Sequence, residues 1–332
     1  MSSGRTSGVA GAERRAGLYL TALATPEQAQ LSRLISLVTD TLPSKNSKRS
    51  YAKALTEFLY WLHDEHADFT KAAVARFADV LRSQGKSAAT INSRLAAIRK
   101  LASEAADNGH VRPETAEAVR RVKGQSRLGV RAGNWLTLAE AERLLNAPAQ
   151  ATIKGARDRA ILAMLIGCGL RRDEICRLKW RDIQQRDGRW VIVDMIGKGG
   201  RIRTVPIPSW GKALLDHWLV ALGGAIPVVN MADWFIFCPV LKGGRVIAGA
   251  ELDASPIYRM VQEYCRAVNL TPVAPHDLRR THAKLAHRGG AKLEQIQISL
   301  GHSSIKTTEV YLGLDQDFTD APADHIHLRL ER

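Results

Sequence analysis

Long apolar runs are missing from this chain. The longest, AILAMLIGCGL at Ala160–Leu170, falls well short of the ~20 residues a membrane-spanning helix needs. Near the start, the apolar piece Leu18–Ala24 is short and interrupted, which argues against a signal peptide. Cysteine is scarce. Cys168, Cys176, Cys238 and Cys265 form no C-x-x-C pair, so neither a disulfide framework nor a zinc site is expected. A reducing, cytoplasmic setting is the corresponding expectation. Acidic residues are outnumbered: 33 Asp and Glu against 48 Lys and Arg leave a net charge of +15. Such a surplus favours a polyanionic partner, nucleic acid or an anionic membrane surface, and the lack of a spanning run weakens the membrane option.

Several chemistries lack their residues. His282 and His287 stand five apart without carboxylates at helical spacing, and His325 and His327 form only a lone pair, so no metal site is expected. No carboxylate cluster suggests a Mg²⁺-dependent nuclease, and no G-x-S-x-G suggests acyl transfer. QGKS at Gln84–Ser87 is not a phosphate-binding loop, because the upstream glycine it needs is Val80.

What is present reads as two domains in 332 residues. Residues 1–24 are rich in Ser, Gly, Ala and Arg and form a lead-in. From 25 to 118 the apolar spacing is helical: Tyr51, Leu55, Phe58, Leu59 and Leu62 share one face, and Ile91, Leu95, Ile98 and Leu101 another. Gly109 is placed to stop the second of these helices. Asn92, Arg94, Arg99 and Lys100 line that helix's polar side. Between Lys86 and Arg131, ten Lys and Arg against four Asp and Glu give a local +6. Such a basic face serves equally as a solvated surface or as a DNA contact. A basic linker at 119–134 precedes a second, mainly helical domain at 135–316, followed by a tail at 317–332. That domain opens with a capping box at Thr137 and Glu140 and carries a hairpin in which RWVIVDMI and RIRTVPIP flank GKGG.

Four local features in the second domain invite chemistry. Arg171 leaves an apolar helix just after Gly-x-Gly and can present its planar fork to a phosphate, or simply pair with Glu174. Lys198 stands at the hairpin tip, where most lysines are merely exposed. In PHDLRRTH, His276 and Arg279 share a helix face just after Pro275. In LGHSSIKTTEVYLGL, nine residues separate His302 from Tyr311 (311 − 302).

Taken in order, these residues resemble the catalytic domain of the tyrosine recombinases, the phage-integrase family. GCGLRRDEICRLKWRDI resembles the family's first arginine box, IGKGGRIRTVPIP its lysine hairpin, and HDLRRTH through LGHSSIKTTEVYL its second box. TINSRLAAIRKLA resembles the helical core-binding domain, so the likeness spans roughly residues 25 to 315. Two departures, Cys168 where Thr or Ser is usual and Arg280 where His is common, touch no catalytic position.

The resemblance implies a SAM-like helical core-binding domain followed by a mainly helical catalytic domain with a small β-sheet. It implies a site-specific DNA recombinase working through a covalent 3′-phosphotyrosine, with no ATP, metal or other cofactor. Tyr311 is then the nucleophile, Arg171, Arg279 and His302 hold the phosphate, His276 is the base and Lys198 the acid. Asn92, Arg94, Arg99 and Lys100 are the expected DNA contacts. One nucleophile per chain implies a homotetramer on the recombination site, with room for accessory proteins and with the tail docking on a neighbour or remaining disordered. The short lead-in suggests the simple two-domain type. The alternatives are a type IB-like topoisomerase and a catalytically silent DNA-binding regulator.

Overall fold

The computed structural model of the chain describes residues 26–126, 134–197, 200–225 and 230–312. It divides into two units, Met1–Val130 and Arg131–Arg332.

In the first unit, α1 (Pro26–Thr39), α2 (Lys45–Asp64), α3 (Lys71–Ser83), α4 (Ala88–Asp107) and α5 (Pro113–Arg120) follow one another. Ser44, Thr70 and Ser87 start α2, α3 and α4, each hydroxyl accepting the N–H three residues on. The apolar stripe of α4 is buried throughout at Ile91, Leu95, Ile98 and Leu101. It meets Leu55 and Phe58 of α2, with Tyr51, Leu59 and Leu62 packed at the edge. Phe58 and Phe77 pack edge to face, 5.2 Å between ring centres. Gly109, at φ +74°, turns the chain after α4, a conformation only glycine adopts without cost. The unit continues past residue 118, because α5 runs to Arg120 and Val122 is buried in the same core.

The second unit is built around α7 (Ile153–Gly167), whose residues from Ala160 to Ile166 are all buried. A helix apolar on every side has to be surrounded. α6 (Leu138–Asn146), with the predicted Thr137–Glu140 capping box formed, and α9 (Ser209–Gly223) pack against it. α8 (Arg172–Arg177) follows α7 directly, and α10 (Ala254–Ala267), α11 (Pro275–Arg288), α12 (Leu293–Leu300) and α13 (Ile305–Leu312) complete the unit.

The sheet has three antiparallel strands in the order β1 (Ile183–Arg186), β2 (Arg189–Ile196), β3 (Ile202–Pro206), where the sequence suggested two. The extra strand, IQQR, is too short and polar for alternation to reveal it. Its mark is the turn: Arg186 pairs with Arg189 across Asp187 and Gly188, both at positive φ, the Asp-Gly signal of a two-residue hairpin.

Candidate active site

Three arginines converge on one buried carboxylate. Arg171 caps the start of α8; its backbone N–H donates to Glu174 Oε2 at 2.8 Å and its Nη1 to Oε1 at 2.8 Å. Arg203 approaches from β3 and forks onto the same carboxylate, Nη1 to Oε1 at 3.1 Å and Nη2 to Oε2 at 2.8 Å. The Nε of Arg203 donates to Ser299 O of α12 at 2.8 Å, so one side chain joins the sheet, α8 and α12. Arg279 of α11, wholly buried, lies 4.0 Å from Glu174 and donates to the carbonyls of Gly169 and Leu300. Three positive charges around one negative leave a surplus of +2 for an incoming anion.

Burial by itself would raise the Glu174 carboxyl. Hydrogen bonds from Arg203 and the Arg171 N–H, with both guanidinium charges, hold it instead at about 2. A carboxylate depressed from its ordinary ~4.3 contributes stability that is fully present above that value, about 3 kcal/mol, and lost as pH falls through about 2. Glu174→Gln, which keeps the shape but strands the guanidiniums, is expected to lose roughly 3–5 kcal/mol of stability at pH 7. In denaturant titrations the gap from the native protein should close as pH falls from about 4 to about 2. A gap constant with pH would show that the charge of Glu174 contributes nothing.

Two glycines let these elements meet. Gly169, at φ +59°, turns the chain out of α7, and a Cβ there would sit 2.7 Å from the ring of His282. Gly301, at φ +61°, ends α12 and presents His302 while passing within 3.1 Å of Arg203 at the position a Cβ would take. His282 has a structural contact, its Nδ1 lying 2.9 Å from Ile166 O.

Arg171, His276 and Arg279 line one cavity of about 310 Å³, with Tyr258, Arg172 and Asp173 at its wall. His276 is the second residue of α11, after Pro275 at the first position. Burial, followed by the charges of Arg280, Arg279 and Arg171, lowers its pKa, so the ring is neutral at pH 7 and able to take a proton. His302 is 8% exposed, with Nδ1 2.9 Å from the hydroxyl of Thr308. Burial first, then Arg279, Arg171, His276 and Arg203, push it down to about 4.

Tyr311 belongs to α13, a helix anchored through Leu312 to Ala283, Ile296 and Leu300 of α11 and α12. Its side chain and Lys198 lie outside the described residues. Among the described residues, no three His, Cys, Asp or Glu are grouped to hold a metal ion, and no helix is long and apolar enough to cross a membrane.

The four basic-face residues of the first unit have partners within it. Asn92 brackets Gln125, donating to its carbonyl at 2.9 Å and accepting from its N–H at 2.7 Å, and Arg99 donates to Val122 O. Arg94 pairs with Glu57 at 2.8 Å, and Lys100 with Glu104 at 2.7 Å. Two residues essential to the site's shape, Arg203 and Thr308, were not singled out from sequence. Arg203 did leave a mark: in β3 it holds an inward position between exposed Ile202 and Thr204, where an apolar residue would be usual.

The family model described as "Phage integrase family" matches residues 134–317, and "Phage integrase, N-terminal SAM-like domain" matches residues 34–109. Tyrosine recombinase XerC of Xanthomonas campestris pv. campestris is 30% identical over 293 residues, covering 87% of this chain and 85% of the relative. Its namesake from Xanthomonas axonopodis pv. citri is 32% identical over 268 residues, 81% of each chain. Among solved structures, XerH recombinase bound to palindromic difH substrate superposes with a TM-score of 0.64 at 22% identity, covering 81% of this chain and 76% of that one. A lambda integrase dimer bound to a COC′ core site gives 0.63 at 19%, covering 93% and 87%. At these identities the structures speak for the fold.

Proposed function

The chain belongs to the phage integrase family, the tyrosine recombinases, and on that premise we propose that it cuts and rejoins DNA at a specific site through Tyr311. The observation that carries this reading is the cavity itself. Arg171, His276 and Arg279, more than a hundred residues apart at the extremes (279 − 171), line one cationic pocket, with His302 held beside it and the helix of Tyr311 docked on the same elements.

In the proposed reaction Arg171, Arg279 and His302 hold the non-bridging oxygens of the scissile phosphate, where negative charge builds up in the transition state. A phenol is mostly protonated at pH 7, so Tyr311 needs the cationic surroundings and a base; neutral His276 takes its proton. The bond from the Tyr311 oxygen to phosphorus forms as the bond to the 5′-oxygen breaks, and Lys198 gives the leaving oxygen a proton. The phosphotyrosine conserves the phosphodiester, so rejoining to another 5′-hydroxyl consumes no ATP and requires no metal in this scheme.

Duplex DNA is the proposed partner, supported by the fold shared with XerH bound to its difH substrate and with lambda integrase bound to a COC′ core site. In the helical unit Arg94 and Lys100 would exchange a carboxylate for a phosphate. Asn92 and Arg99 would hold in place the segment that carries exposed Lys123. Four chains on two duplexes in the cytoplasm, with room for accessory proteins, complete the proposal.

A nicked suicide substrate library tests it. The 3′-phosphotyrosine should accumulate in EDTA, and sequencing the trapped DNA should return one recurring site. Cleavage abolished by EDTA would instead mark a metal-dependent nuclease.

A further inference from the structure

Thr308 is fully buried, and its hydroxyl lies 2.9 Å from Nδ1 of His302. It sits on α13, three residues before Tyr311 and so on neighbouring helical positions. A neutral imidazole carries a single N–H, and the partner of one nitrogen decides which atom donates from the other. With Arg279, Arg171, His276 and Arg203 near it in a buried setting, His302 is neutral at pH 7. It can therefore donate to a phosphate from Nε2 only if Nδ1 is an acceptor. A hydroxyl can serve as donor or acceptor, and next to an anion the arrangement with Nε2–H outward is the attractive one.

We propose that Thr308 is a positioning residue: its O–H donates to His302 Nδ1 and holds the proton on Nε2, making His302 a hydrogen-bond donor to the scissile phosphate. Because Thr308 belongs to the helix of Tyr311, that donor is set only while the nucleophile's helix is docked. Placement of the attacking group and completion of the phosphate site become one event. The inference rests on the assignment of His302 to the phosphate made above.

The test uses the full chain on the suicide substrate, with single-turnover cleavage, DNA binding and the ¹⁵N shifts of labelled histidine as readouts. Thr308→Val keeps the shape and removes the hydroxyl. It is expected to slow cleavage about 10- to 100-fold with binding unchanged, less than the 10²–10³ typical of losing a donor outright. Thr308→Ser is expected to restore the rate to within a few-fold. In a His302→Ala background, Thr308→Val should add less than about 2-fold. The native ¹⁵N shifts should show His302 protonated on Nε2.

A slow His302→Ala beside a normal Thr308→Val would overturn the proposal and leave the phosphate role of His302 standing. A normal His302→Ala would overturn both. Equal slowing by Thr308→Val with and without His302 would make Thr308 a packing residue of α13, and a proton found on Nδ1 would reject the tautomer. Should Thr308→Val fail to fold, the Thr308→Ser rate and the native ¹⁵N shifts decide the matter.

Discussion

Tyr311→Phe binds its DNA site as tightly as the native chain and forms no covalent adduct: that is the expected result. The substitution removes one oxygen from a ring on a helix whose anchoring, through Leu312, is untouched. Duplex affinity comes mostly from phosphate contacts spread over many cations, and one phenol contributes little to it. The chemistry has no substitute nucleophile, and losing the attacking group in covalent catalysis costs roughly 10⁴-fold or more. Gel-shift and denaturing-gel assays on one suicide substrate separate the two effects. Adduct recovered from Tyr311→Phe would remove Tyr311 from the reaction. Lost binding would mean that α13 needs the hydroxyl for its structure.

The second large effect is expected at Arg279. Its guanidinium is completely buried, holds the carbonyls of Gly169 and Leu300 together, and faces the same cavity as Arg171 and His276. Lysine keeps the charge, but a single ammonium at the end of a flexible stem cannot reproduce the planar fork that ties both carbonyls and still offers a donor to phosphate. Arg279→Lys should lower single-turnover cleavage by about 10²- to 10³-fold. It should also lower the melting temperature, since a buried carbonyl left without its donor costs on the order of 1–3 kcal/mol. Arg279→Ala should be worse on both counts. If cleavage by Arg279→Lys stayed within a few-fold of native while stability fell, Arg279 would be a structural strut between Gly169 and Leu300 and would leave the proposed clamp.

Much of this site was legible along the chain because its parts are local. Glycine before Arg171, proline before His276 and the spacing of His276 and Arg279 on one helix are short-range features, set by φ restrictions and the helical repeat. The apolar stripes of α2 and α4 were legible for the same reason: Leu55, Phe58, Ile91, Leu95, Ile98 and Leu101 lie in the core of the first unit, with Tyr51, Leu59 and Leu62 packed against it. The basic stripe of α4 shows the limit of that reading. Residue type marked Asn92 and Arg99 as available for DNA, whereas Asn92 is engaged with the backbone of Gln125, 33 positions on, and Arg99 with that of Val122, 23 positions on. Strand β1 was missed because four residues with a single apolar one, Ile183, carry no alternation, although the Asp-Gly turn beside it was in plain view.

The two-domain helical plan, the positive charge and the order Arg171, Lys198, His276, Arg279, His302, Tyr311 can be read along the chain. Packing is what brings Arg203, from a strand 29 residues on, to the Glu174 carboxylate that Arg171 already holds, and what sets Thr308 against His302. The reason is physical. Burying a charge or a hydroxyl is favourable only where partners arrive from other elements with hydrogen-bond geometry. That convergence is a property of packing, which no residue's immediate neighbours along the chain encode.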